Sequence, residues 1–249
     1  MSDIYTAPQA DLAAETPAGG EYGSIPKAIA GDYQVAIGET LSEAWALTKG
    51  NKGTIWLGVL LYFLAYIGIA LVATMITGQS LTDPSTQGGV AGMVSNILVA
   101  AATAPMTAGM MLIGIKIARK EQVSGTEVFA HFDKVLPLAV GMVLMYLLVA
   151  LGFLLLILPG IYLVVAYTMM LPLIVDKNLG PWQALEVSRK AITKHWFAIF
   201  GFLIVIGLLY IAGFLALIIG LIWAIPTLSI AHGILYRNMF GGHEANPEL

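Results

Sequence analysis

The chain has 249 residues, of which 58% are hydrophobic and only 11% charged, with a net charge of −3 and no cysteine. Soluble domains carry about 25% charged residues, so this composition cannot cover a water-facing surface, and a polytopic membrane protein is expected. Disulfide frameworks and thiolate nucleophiles or metal sites are excluded, and basic residues scattered among apolar runs argue against nucleic acid as a partner.

Residues 1–31 are rich in Ala, Gly and Pro, with acidic positions at Asp3, Asp11, Glu15 and Glu21. Nothing in them is periodic enough to bury a face, so a disordered cytoplasmic tail is expected. Within it, "IYTAPQADL" (Ile4 to Leu12) spaces apolar residues around Pro8 in the manner of a docking peptide for an unidentified protein partner. A basic n-region followed by an apolar h-region is missing, so the first span is expected to direct insertion itself.

Residues 32–240 form the expected membrane domain, and residues 241–249 a second cytoplasmic tail. Apolar runs cover residues 54–77, 90–115, 135–175 and 196–235. A helix crosses the hydrocarbon core with about 20 residues at about 1.5 Å each. The first two runs are therefore one span each, and the last two, at 41 and 40 residues, must each turn back once. Pro159-Gly160 supplies one turn. Gly220 supplies the other, with Trp223 placed in an interfacial aromatic belt and Gly213 as the competing hinge. The expectation is all-α: six transmembrane helices in three hairpins, over about 54–77, 90–115, 135–158, 161–175, 196–219 and 221–237.

All twelve lysines and arginines fall on one side of that arrangement. Lys27, Lys49 and Lys52 precede the first span; Lys116, Arg119, Lys120 and Lys134 lie between the second and third; Lys177, Arg189, Lys190 and Lys194 lie between the fourth and fifth; Arg237 ends the sixth. The connections around "GQSLTDPSTQG", Pro159-Gly160 and Gly220 carry none, which predicts both termini in the cytoplasm. A repeat underlies the pattern. "SEAWALTKGNK" (42–52), "TEVFAHFDKVL" (126–136) and "LEVSRKAITKH" (185–195) each set a glutamate early, lysine late and a long span behind. In the third copy Gly180 and Pro181 mark a helix start, Glu186 and Lys190 take the favourable i,i+4 order, and Trp182, Leu185, Ile192 and Trp196 share a stripe. Each hairpin is thus expected to follow an amphipathic cytoplasmic helix lying on the leaflet. Arg189, Lys190 and Lys194 are the candidate contacts to anionic headgroups, each worth about 1 kcal/mol near an anionic surface.

The span interiors contain no Asp, Glu, Lys or Arg, which speaks against ion-coupled transport. In the second span Asn96, Thr103 and Thr107 fall near one face with Ala100 and Gly114, and Pro105 frees a backbone carbonyl. This seam reads either as a polar path or as small and hydroxyl residues that let helices approach and hydrogen-bond. Thr168, Pro172 and Asp176 make a similar line in the fourth span, with Asp176 expected at the cytoplasmic surface. His131, His195, His232 and His243 lack convergent partners, and His232 reads as a packed, hydrogen-bonded residue. The scattered methionines read as core or lipid-facing. No cofactor or metal is expected.

From Leu158 to Trp196, Pro159-Gly160, Asp176-Lys177, Gly180, Ala184, Ser188 and Trp196 resemble the YciC-like bacterial inner-membrane proteins, and are similar to the membrane domain fused to some glycerophosphodiester phosphodiesterases. The resemblance implies a six-helix integral protein of the Gram-negative inner membrane. It carries over no phosphodiesterase activity, because that enzyme's acidic and histidine residues have no counterpart here. The expected function is a non-enzymatic membrane scaffold, interaction or lipid-associated regulatory protein; the alternative is a transporter or facilitator for a neutral or amphiphilic solute.

Overall fold

A computed structural model describes residues 22–79, 89–216 and 219–241. The expected docking peptide, most of the loop "GQSLTDPSTQG" and His243 lie outside these residues. Every regular element among the described residues is helical.

Helix α1 (Ile25–Ala30) starts at Ser24, whose Oγ accepts from the Lys27 N–H, and stops at Gly31 in the left-handed region, φ 88°. Helix α2 (Ile37–Thr77) is really two helices. Lys49 leaves helical ψ and Gly50 takes φ 92°, a conformation glycine adopts without a Cβ clash. The entry helix thus bends into the first span without a loop. Helix α3 (Gly89–Ala118) returns beside it, with Pro105 inside.

The second entry element is not the amphipathic α-helix expected. It is a pair of short 3-10 helices, Gly125–Phe129 and Phe132–Lys134. A reciprocal cap starts the first: the Ser124 N–H donates to Glu127 Oε1 at 3.0 Å and the Thr126 N–H donates to Ser124 Oγ. Gly125 then packs against the α2 backbone at Thr54 and Gly58, and Val128 against Gly109 of α3. Ten residues wedged between two helices leave no room for a three-turn helix.

Helix α4 (Val135–Leu155) and helix α5 (Ile157–Ala166) join at Leu156, the one extended residue between them, with φ −163° and ψ 156°. The turn therefore lies three residues before Pro159-Gly160. Pro159 falls in the first turn of α5, where the missing N–H costs nothing. Gly160 serves close packing: an ideal Cβ on Gly152 would stand 3.1 Å from its Cα, and one on Gly160 would strike the Phe153 ring. The fourth apolar segment is also broken. Helix α6 (Met170–Asp176) follows α5 after a break at Tyr167, Thr168 and Met169.

Helix α7 (Pro181–Lys194), helix α8 (Trp196–Leu215) and helix α9 (Leu221–Phe240) complete the chain. Gly213 lies within α8 and is not a hinge. A Cβ on Gly220 would fall 2.8 Å from its Cα, so the third hairpin repeats the glycine contact of the second. The matching stretches "GFLLLILPG" and "GFLALIIG" carry this repeat in the sequence.

Among the described residues, five helical segments are long and apolar enough to cross a membrane: Ile37–Thr77, Gly89–Ala118, Gly125–Leu155, Ile157–Asp176 and Trp196–Leu215. The expected sixth, α9, is not among them. Burial divides the molecule into two zones. The core collects at the basic end, where Ile113, Ile115, Met170, Ile174, Leu185, Ile192, Ile234 and Tyr236 are buried. The rest of α2, the first half of α3, the α4–α5 turn and α8 expose apolar side chains, with Leu154 and Phe197 each 83% exposed. That surface needs lipid.

At the α3–α9 crossing a Cβ on Gly114 would lie 2.5 Å from the Ser229 carbonyl oxygen, and one on Gly233 would run into the Gly114 carbonyl. Small residues here let two backbones touch, the usual source of membrane helix packing. Gly233→Ala is expected to destabilise by about 1–3 kcal/mol through overpacking. Gly207→Ala on α8, where a Cβ meets nothing within 4 Å, should be neutral or stabilising by up to about 1 kcal/mol through helix propensity. Thermal unfolding of both variants in detergent checks the contrast.

Candidate functional site

The residues of the expected seam come together. Asn96, Thr103 and Thr107 on α3 line a cleft of about 750 Å³ with Tyr62 and Tyr66 of α2 and Met142 and Tyr146 of α4. The i,i+3/i+4 spacing on α3 puts the three polar residues on one wall. Thr103 Oγ1 donates to the Val99 carbonyl at 2.8 Å and Thr107 Oγ1 to the Thr103 carbonyl at 3.1 Å, so both hydroxyls are satisfied within the helix around Pro105. Tyr62 Oη and Thr107 Oγ1 pair at 3.2 Å across the cleft. Toward the basic end the cleft closes, because Gly58 packs on Met110 and Gly109 on Val128. The result is a neutral, hydroxyl-lined slot between helices whose outer faces are exposed and apolar. The tyrosines were not part of the sequence reading. Tyr62 and Tyr66 stand one turn apart and stack at 6.4 Å between ring centroids, a spacing that is legible in the sequence.

At the basic end the structure overturns the expectations for Asp176 and His232. Asp176 does not reach the surface; its side chain is fully buried. Arg119 Nη1 and Nη2 donate to its two carboxylate oxygens at 2.8 and 2.9 Å, and Tyr236 Oη donates to Oδ2 at 2.9 Å. Lys177 Nζ stands 3.5 Å away, and Arg119 also donates to the Gly241 carbonyl at 2.7 Å. Arg237, expected merely to end the last span, is 4% exposed. It donates to Glu43 Oε1 and Oε2 at 2.7 and 3.0 Å and to the Ala118 carbonyl at 2.6 Å. His232, read as hydrogen-bonded, has an enclosed Nε2 without a partner among the described residues. The paired arginines thus act as internal ties and are not headgroup contacts.

The third entry helix, α7, keeps its amphipathic face but turns it to protein. Leu185, Ser188 and Ile192 are buried, while Trp182 of the expected stripe is exposed. Ser188 Oγ donates to the Ala166 carbonyl at 2.7 Å and accepts from the Met169 N–H at 3.3 Å. It therefore satisfies the backbone groups freed by the break between α5 and α6. Of the three candidate headgroup contacts, Arg189 is committed to Glu186 through Nε at 3.1 Å and Nη2 at 2.9 Å. Lys190 is half-exposed, 3.9 Å from the same carboxylate, and Lys194 lays its methylenes against Gly31.

The Arg189 hydrogen bonds hold the Glu186 carboxyl below its ordinary value, against the opposing effect of burial. For Glu127 burial pushes the carboxyl up, but hydrogen bonds from Lys116, 2.6 Å away, and from the Ser124 N–H outweigh it, and the net shift is downward. Depressed carboxyls stabilise the fold fully above the ordinary glutamate value of about 4.3 and lose that contribution as pH falls through the lower native values. The thermal midpoint in detergent should fall between about pH 5 and 3, and a Glu127→Gln, Glu186→Gln double variant should show a shallower fall. Asp176→Asn leaves Arg119 buried without its counter-charge and should cost about 3–5 kcal/mol, read as a lower thermal midpoint at pH 7.

Comparison with protein-family models, with curated proteins and with solved structures gives no match.

Proposed function

We propose that this chain is a non-enzymatic, lipid-associated scaffold or regulatory protein of the Gram-negative inner membrane, with both termini in the cytoplasm. The observation that carries the reading is the neutral cleft between α2, α3 and α4, with Tyr62, Asn96, Thr103 and Thr107 in its walls. It opens between exposed apolar helices and holds hydroxyl and amide groups but no charge. Such a slot suits an acyl chain with an uncharged polar group near it. The orientation is supported by the segregation of Lys and Arg. The YciC-like resemblance stands with the same reading, as does an anionic leaflet facing Lys190 and Lys194. A protein partner for the N-terminal tail belongs to the same proposal. On the enzymatic side, the ionisable groups that gather at Arg119–Asp176 and Arg237–Glu43 pair with one another across helices, and Arg119, Asp176 and Arg237 are buried.

The facilitator reading draws on the same wall of Asn96, Thr103 and Thr107. It has less support, because the close packing of Gly58 on Met110 and of Gly109 on Val128 narrows the space toward the basic end.

Purification in mild detergent followed by native mass spectrometry tests the proposal. Wild type should retain bound lipid, and Ala100→Phe, which fills the cleft, should lower that retention about 10-fold, equivalent to roughly 1.4 kcal/mol. Equal lipid on both proteins would remove the cleft from the account. Solute flux in proteoliposomes that disappears in Ala100→Phe would favour the facilitator.

A further inference from the structure

The α8–α9 hairpin is placed by a row of contacts to the first half of α2. Near the start of α8, Gly201 faces Ile37, the first residue of α2; a Cβ there would stand 4.0 Å from Ile37 Cδ1. Past the turn, Trp56 Nε1 donates to the Ile222 carbonyl at 3.2 Å, and Lys52 Nζ stands 4.6 Å from the centre of the Trp223 ring. Farther along α9, Thr48 and Thr227 pair at 3.0 Å and Glu43 meets Arg237. Helix α9 therefore runs antiparallel along residues 43–56, and α8 begins beside Ile37 and ends at the α9 turn.

From Trp56, α2 continues without interruption to Thr77. Those 21 residues rise roughly 31 Å at 1.5 Å each, close to the ~30 Å thickness of the hydrocarbon core. The turn of the third hairpin thus lies roughly 31 Å short of the far end of α2. The second hairpin differs: α4 climbs along α3, since Met142 and Ala150 line the same cleft as Thr107 and Asn96.

We infer that α8 and α9 do not cross the membrane but form a wedge seated in the leaflet at the basic end, and that the acyl chains of that leaflet cover it. The inference rests on the cytoplasmic orientation proposed above only for naming the leaflet. Residues 196–223 contain no charged side chain. Phe197, Leu208, Ile211, Phe214 and Leu215 are exposed around α8, so water cannot be what surrounds it. Lys52 over Trp223 is a cation–π pair that ties the turn of this hairpin to α2. Four crossings, α2, α3, α4 and the broken α5–α6 segment, still bring both termini to one face, so the charge segregation is unchanged. A 20-residue apolar helix inserted in one leaflet expands that leaflet alone, which gives the protein a preference for lipid that is convex on that side.

The native chain has no cysteine, so introduced cysteines report cleanly. In native membranes, copper-phenanthroline oxidation should join Lys52→Cys to Trp223→Cys and should not join Gln79→Cys to Trp223→Cys. In intact cells a membrane-impermeant maleimide should modify Gln79→Cys and leave Gln122→Cys and Ile219→Cys unmodified. Cross-linking of the 79/223 pair in place of 52/223, or modification of Ile219→Cys at the Gln79→Cys rate, overturns the wedge. Modification of Gln122→Cys and protection of Gln79→Cys, with the 52/223 cross-link intact, overturns the proposed orientation and leaves the wedge standing in the opposite leaflet.

Discussion

A charge withdrawn from water must be paired, and at the basic end of this protein that requirement ties the bundle together. Arg119, one residue past α3, takes both oxygens of Asp176 at the end of α6 and the carbonyl of Gly241 after α9. Tyr236 of α9 adds its hydroxyl to the same carboxylate. Beside it Arg237 holds Glu43 of the entry helix and the last carbonyl of α3. The ends of α3, α6 and α9 are thereby fixed at one level beside the entry helix. Such networks contribute less to net stability than to the choice of one arrangement, because desolvation offsets much of the attraction while a missing partner is costly. Beyond this knot the described helices expose mainly apolar side chains.

The knot also explains the repeat. The glutamate of the first copy reaches Arg237 on the last helix, and that of the second reaches Lys116 on α3. Each entry element thus clasps the return helix of the preceding copy, and the first closes the ring onto the last. The third copy departs: Glu186 pairs within α7, and Ser188 does the clasping through the broken α5–α6 backbone. Two tryptophans keep the correspondence, since Trp56 and Trp196 both donate their indole N–H to a backbone carbonyl near the start of a return helix, at Ile222 and Tyr162.

Much of this was legible in the sequence because apolar runs, glycine and lysine carry local information. The helical class, the first two long helices, the start of α7 at Gly180-Pro181 and the common face of Asn96, Thr103 and Thr107 all follow from local sequence signals. Where the reading failed, a local signal had two physical meanings. Pro159-Gly160 is chemically apt for a turn, yet Pro is equally at home in a first helical turn and Gly in a tight helix contact. Gly213, the competing hinge, misled in the same way, whereas Gly220 does lie at the turn before α9. Asp176, Arg119 and Arg237 sit at helix ends, where exposure is the ordinary expectation, and only the long-range meeting of α3, α6 and α9 buries them.

The central claim is that one ionic knot holds the ends of α3, α6 and α9 as a unit. Hydrogen exchange on Arg119→Ala in nanodiscs, compared with wild type, tests it most directly. Amides in the last turns of all three helices should exchange faster together, with the α2–α3 hairpin unchanged toward its tip; faster exchange confined to α3 would contradict the account.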